Sequence, residues 1–222
     1  MRQRVVLIDL DETLYEPSVG LFARIQTGML EALESLEGLD RQAAEARRAE
    51  YVRTDGMLYH ALVRRYPGQL ETILQFIFPA AVEQYLSAAP DLRAALAAIP
   101  ARKVIFTHAP EEFAGRVLDT LGIADQFETI FGGRRLNFAS KRDINSLQTV
   151  LTALAVDAVN CLMVDDRIAN LALAHQLGLT TIWIDWQYTV GDRPAAIDYR
   201  AHGTLEALQI VRRQVLSAES IA

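Results

Sequence analysis

The sequence predicts an α/β fold: a doubly wound parallel sheet with a helical cap inserted after its first strand. Three observations carry this. A short run of β-formers, Val5, Val6, Leu7 and Ile8, leads straight into Asp9 and Asp11, two carboxylates spaced two apart. From residue 103 onward, short apolar runs alternate with helical patterns, which implies parallel strands joined by right-handed crossovers. Between the first strand and that alternation, residues 16–90 show helical periodicity and no convincing strand. The expected division is therefore a catalytic core of residues 1–15 and 91–222, with a helical cap over 16–90.

The elements follow in order. The opening run reads as a buried central strand. In residues 21–36, Leu21, Ile25, Met29, Leu33 and Leu36 recur at helical spacing and give one apolar face. Asp40 is a plausible N-cap for a helix over 41–52. Further helical pieces are expected over 57–65, 70–76, 80–88 and 91–98. The second strand is 103–107, with Lys103 a solvated flank at its start. Pro110, Glu111 and Glu112 open a helix that Gly122 ends. A short third strand, 127–131, precedes Gly132 and Gly133. A helix over 143–155 carries Ile144, Leu147, Leu151 and Leu154 on one face. The fourth strand is 161–164, followed by a helix over 168–177 that Gly178 closes. The fifth strand is 180–184, and residues 205–216 form a terminal helix.

Composition narrows the function classes. The chain has 222 residues, 51% hydrophobic and 23% charged, with a formal net charge of −6. The pI is near 5.3, which argues against a nucleic-acid polymer as partner. A small phosphorylated substrate stays compatible, because one metal ion and one lysine can reverse the sign locally. The single cysteine, Cys161, lies in an apolar run and reads as a buried thiol in a reducing compartment. The apolar run near the start is too short for a signal peptide, and no stretch approaches the ~20 apolar residues of a membrane span. The expectation is a cytoplasmic, membrane-free protein.

Candidate site residues gather at strand ends. In an extended chain, residues two apart point to the same side, so Asp9 and Asp11 share one. Thr107 ends the second strand, and Asp165 and Asp166 end the fourth. A parallel sheet brings such carboxyl ends together. Several carboxylates with few nitrogen donors suit a hard, oxygen-seeking ion, Mg²⁺ above all. Helix capping is the plainer reading of Asp165 and Asp166 taken alone. Only two of the 22 basic residues are lysines. Lys141, just before the 143–155 helix, could serve as a compact charge for a phosphoryl group or be a surface loop lysine. His60, His175 and His202 form no metal spacing, and Trp183 and Trp186 read as packing residues.

These elements, in this order, resemble the haloacid dehalogenase-like hydrolase superfamily, mostly phosphatases, over nearly the whole chain. Asp9-Leu10-Asp11-Glu12-Thr13-Leu14 matches its first motif, Thr107 its second, Lys141 its third, and Asp165-Asp166-Arg167-Ile168-Ala169-Asn170 its fourth. The first, second and fourth are most similar to the pyrimidine 5′-nucleotidase branch. The resemblance implies that Asp9 attacks phosphorus, that Asp11 acts as acid and base, and that Thr107 and Lys141 hold the phosphoryl oxygens. It implies a Mg²⁺ site of Asp9, Asp11 through its main-chain carbonyl, Asp166 and Asp165. Asp11 favours a phosphatase or mutase over a dehalogenase, which lacks that second aspartate. His108 stands where the branch has asparagine and reads as a substrate contact or a plain loop histidine. Arg167 replaces a small residue and could bind a substrate phosphate. The function implied is a Mg²⁺-dependent phosphomonoesterase acting on a small metabolite, with a pyrimidine nucleoside 5′-monophosphate preferred. A sugar-phosphate phosphatase or phosphomutase, and a catalytically silent binding module, are the alternatives.

Overall fold

The computed structural model describes residues 4–219. The chain separates into two compact units, one built from the chain up to Glu16 and from Ser87 onward, the other from Pro17–Leu86.

The first unit is a six-stranded sheet, β1 (Val5–Ile8), β2 (Arg102–Phe106), β3 (Thr129–Phe131), β4 (Cys161–Asp165), β5 (Thr180–Ile184) and β6 (Tyr199–Ala201). The spatial order is β3-β2-β1-β4-β5-β6 and every pairing is parallel. Val5 stands opposite both Arg102 and Cys161, so β1 is central, and the order reverses beside it. Open sheets bind ligands at that reversal, beyond the carboxyl ends. All four residues of β1 are fully buried, as a strand covered on both faces requires.

Val5 and Leu7 share one core face with Leu147, Val150 and Leu151 of α7 (Ile144–Ala153) and Leu171 and Ala174 of α8 (Ile168–Gln176). Residues alternate along a strand, so Val6 and Ile8 point to the opposite face. The remaining helices of this unit are α5 (Pro90–Ala97), α6 (Glu111–Leu121) and α9 (Thr204–Glu219). Gly122 ends α6 at φ 71, where a side chain would be strained.

The second unit holds α1 (Leu21–Glu37), α2 (Arg41–Asp55), α3 (Leu58–Arg65) and α4 (Leu70–Ile77). The Asp40 carboxylate accepts from the Ala43 amide and caps α2. Gly28 lets α1 and α4 meet closely, because a Cβ there would lie 2.1 Å from the Phe76 carbonyl oxygen. Tyr51 and Tyr66 donate hydroxyls, and Arg47 a guanidinium N–H, to the Glu37 carboxylate.

Four expectations change. A sixth strand, β6, is present; at three residues it carries no apolar run that would announce it. The helix expected over 80–88 is a single 3₁₀ turn, Val82–Gln84. Ala89 precedes Pro90 and is pushed out of the helical region, to φ −118 and ψ 78, while Val82 and Leu86 are each buried separately. Ile144, the first residue of α7, is exposed, and Val150 joins Leu147, Leu151 and Leu154 on the buried face. Lys103 is half-buried rather than solvated: its ammonium donates to the Ile99 and Ala101 carbonyls, and burial lowers its pKa. Cys161 is buried as expected, and burial pushes its thiol up to about 12.

Candidate active site

The site residues sit where the strands stop. Asp9 prolongs β1 by one rung, its amide donating to the Val164 carbonyl at 3.0 Å. The chain then turns, with the Leu14 amide bonded to the Leu10 carbonyl and Glu12 in the left-handed region at φ 55. Across that turn the Tyr15 hydroxyl donates to Asp11 Oδ1. Burial, then the Asp11 charge, raises the Tyr15 pKa well above the ordinary phenol value, so Tyr15 stays a donor.

Thr107 prolongs β2 in the same way, its amide bonded to the Phe131 carbonyl at 3.0 Å. Its Oγ1 accepts from the Ala109 amide, which leaves the hydroxyl proton for another partner. Lys141 arrives on the loop before α7 and is buried, 1% exposed. Its Nζ lies 2.7 Å from Asp9 Oδ1 and 2.7 Å from Asp165 Oδ2. The Phe106 ring lies beneath that ammonium, its centroid 5.2 Å away. Asp165, at the end of β4, also accepts from the Arg167 amide and from the Asn170 side-chain amide on both oxygens. Asn170 orients the carboxylate that orients the lysine.

The electrostatics are those of crowded acids around one cation. Burial raises Asp9 to about 7, with Lys141 opposing and Asp165 and Asp11 adding. Burial raises Asp11 to about 6 against the Tyr15 hydrogen bond and Lys141. Asp166 is pushed to about 9, by burial and then by Asp165 and Asp9. For Lys141, burial alone lowers the pKa, but Asp165 and Asp9 outweigh it and hold the ammonium above its ordinary value. Carboxylate oxygens of Asp9, Asp165 and Asp166 lie within 4.8 Å of one another. One lysine does not neutralise three acids, and an all-oxygen donor set fits a hard divalent cation.

The structure brings together Asp9, Lys141, Asp165 and Asp166, with Thr107 at the end of the strand beside Asp9. Asp11 is not one of the three clustered carboxylates, but it is near enough for its charge to raise Asp9, and its Oδ1 accepts from the Tyr15 hydroxyl. Arg167 is half exposed, with Nε 3.4 Å from Asp166 Oδ2 and a second nitrogen 4.0 Å from Glu12 Oε2. The His108 ring nitrogen Nε2 accepts from the Lys141 amide at 3.0 Å. Sequence reasoning missed Tyr15, although its place four residues after Asp11 was open to view. It also missed the tryptophans as donors. The Trp183 indole bonds the Asp166 carbonyl at 3.0 Å and the Trp186 indole the Glu12 carbonyl at 2.6 Å. The Thr204 hydroxyl bonds the Thr13 carbonyl at 2.7 Å. Nothing in local sequence announces such long-range donors.

Fold and site together define an α/β protein with paired acids and a buried lysine at the topological reversal of a parallel sheet. The family model of haloacid dehalogenase-like hydrolases matches residues 3–178, and the chain belongs to that family. Among curated proteins, it is 28% identical to a phosphoglycolate phosphatase of Rhodospirillum rubrum, over 84% of this chain and 81% of that one. A phosphoglycolate phosphatase of Yersinia pseudotuberculosis is 27% identical, over 85% and 84% respectively. Among solved structures, CbbY from Rhodobacter sphaeroides in complex with phosphate shares the fold at TM-score 0.65 and 19% identity, covering 92% of this chain and 96% of that one. The 2-haloacid dehalogenase from Pseudomonas syringae pv. Tomato DC3000 shares it at TM-score 0.62 and 21% identity, covering 98% and 99%. Among the described residues, no helix is long and apolar enough to cross a membrane.

Proposed function

We propose that this chain is a Mg²⁺-dependent phosphomonoester hydrolase acting through an aspartyl-phosphate. The observation that carries the reading is Lys141 Nζ at 2.7 Å from both Asp9 and Asp165, with Asp166 completing an acidic pocket. In this reading an Asp9 carboxylate oxygen forms a bond to phosphorus, and the bond from phosphorus to the leaving oxygen breaks with its electron pair. Asp11, its other oxygen held by Tyr15, gives its proton to that oxygen. Water then attacks phosphorus and passes its proton to Asp11, and the bond to Asp9 breaks, regenerating the carboxylate and releasing phosphate. The Lys141 ammonium and the Thr107 hydroxyl hold the equatorial oxygens, where charge is spread in the transition state.

The Asp9 and Asp166 carboxylates and the Asp11 carbonyl would hold Mg²⁺, with Asp165 beside them turned toward Lys141. When bound, the ion supplies charge neutralisation between the carboxylates and the phosphate. The helical unit, Pro17–Leu86, is inserted directly after the strand that carries Asp9 and, by the family resemblance, would act as a cap that excludes bulk water and selects the leaving group.

For the substrate, the two curated relatives, both named phosphoglycolate phosphatase, support a small phosphorylated acid. Arg167, half exposed and paired with Asp166, is a cation at the edge of the acidic cluster that such an anion would meet. A pyrimidine nucleoside 5′-monophosphate is the second reading, resting on the resemblance of the Asp165-Asp166 motif with Asn170 to the pyrimidine 5′-nucleotidase branch. A panel of 2-phosphoglycolate, sugar phosphates and nucleoside 5′-monophosphates, assayed for phosphate release with Mg²⁺ and with EDTA, tests both. The reading expects release from at least one of them, abolished by EDTA. Transfer within a bisphosphate cycle without release would make the chain a mutase. Release from none, with Mg²⁺ present, would return it to the silent binding module.

A further inference from the structure

We propose that His108 is a positioning residue for Lys141: its ring fixes the main chain of the loop that delivers the ammonium. The inference rests on the role given to Lys141 above.

Asp9 and Thr107 continue strands and Asp165 ends one, so sheet hydrogen bonds set their places. Lys141 has no such support. It follows a run of turns that includes Asn137 and Phe138 at φ 49 and 53, and α7 begins only at Ile144. A loop-borne group needs fastening if its charge is to be placed well.

The fastening comes from the segment after β2. At the start of the loop, the Gly133 amide donates to the Ala109 carbonyl at 2.9 Å. Gly132 and Gly133 allow that approach, since a Cβ on either would meet the Ala109 or His108 carbonyl at 2.6 or 2.7 Å. At the end of the loop, the Lys141 amide donates to His108 Nε2 at 3.0 Å. Both ends of the loop therefore rest on the tripeptide 107–109, which also carries the Thr107 hydroxyl. His108 supplies the only one of these contacts made by its side chain at Lys141 itself.

An accepting Nε2 carries no proton, so the neutral ring holds its proton on Nδ1. With Nε2 engaged by the main chain, that nitrogen cannot donate to a substrate. Glutamine can place its side-chain oxygen where Nε2 lies. Phenylalanine fills the space but offers no acceptor.

The test uses the full chain with Mg²⁺ and two unlike phosphoesters, p-nitrophenyl phosphate and 2-phosphoglycolate, together with hydrogen exchange at the Lys141 amide. His108→Phe is expected to lower kcat/KM by roughly ten- to a hundredfold, by the same factor on both esters, since small misplacements of catalytic groups cost about this much. Exchange at the Lys141 amide should quicken in the same variant. His108→Gln should restore both readouts to near wild type. His108→Leu replaces the Phe variant if the latter lacks the wild-type circular dichroism. A loss confined to one ester, or unchanged exchange at Lys141, overturns the proposal. Should the wild type hydrolyse neither ester, the phosphatase reading fails on these esters, while the exchange measurement still decides whether His108 fixes Lys141.

Discussion

Replacing Lys141 by methionine removes the one ammonium that two buried carboxylates share. Each contact is 2.7 Å, about 6 kcal/mol of attraction at an effective dielectric near 20. Desolvation of the ammonium offsets much of that, and breaking a buried pair costs about 3–5 kcal/mol net, because the remaining charges have no partner. Methionine keeps the bulk of the stem, so packing changes little. For a chain of this length, 1 kcal/mol corresponds to roughly 2–4 °C in Tm, so the metal-free variant should melt roughly 6–20 °C below the wild type. The acids left behind form a more negative pocket, so Mg²⁺ should raise the variant's Tm more than it raises the wild type's. Thermal unfolding followed by circular dichroism, with and without Mg²⁺, reads both effects. A metal-free Tm within about 2 °C of the wild type would refute the claim that Lys141 neutralises the cluster.

Two further outcomes follow from packing. Gly28→Ala drives a methyl to 2.1 Å from the Phe76 carbonyl, so α1 and α4 must separate; a cost of about 1–3 kcal/mol or more is expected, read as faster proteolysis within residues 17–86, and wild-type resistance would contradict it. Cys161 is buried and its thiol is pushed up to about 12, so a thiol-specific reagent at neutral pH should label it only after denaturation; rapid labelling of the native chain would show the burial to be wrong.

The sheet was legible where strands are buried on both faces, because β1 is a continuous apolar run, β4 is apolar up to Asp165, and β5 carries Ile182, Trp183 and Ile184. β6 was not, since an edge strand of three residues gains its place from pairing with β5 rather than from its own pattern. The short turn at Val82–Gln84 escaped because helical spacing of apolar residues says nothing about the constraint Pro90 puts on Ala89. At the site, the residues with distinctive chemistry stood out: carboxylates after apolar runs and a lysine in an arginine-rich chain. What stayed hidden were contacts across long sequence distances. Trp186 reaches Glu12 and Thr204 reaches Thr13 only because the sheet places β5 and α9 near the end of β1. His108 was visible as a departure from the family pattern, but its partner was not, because a ring nitrogen bonding a main-chain amide 33 residues later leaves no trace in composition or period.

The most direct test of the account is to trap the covalent intermediate. The protein is mixed with Mg²⁺ and a substrate it hydrolyses, quenched within one turnover and reduced with borohydride, which converts an aspartyl-phosphate to homoserine. Peptide mass spectrometry should then find homoserine at position 9 alone, and none in Asp9→Asn, which should also release no phosphate. Homoserine at another aspartate, or phosphate release at the wild-type rate from Asp9→Asn, would contradict it.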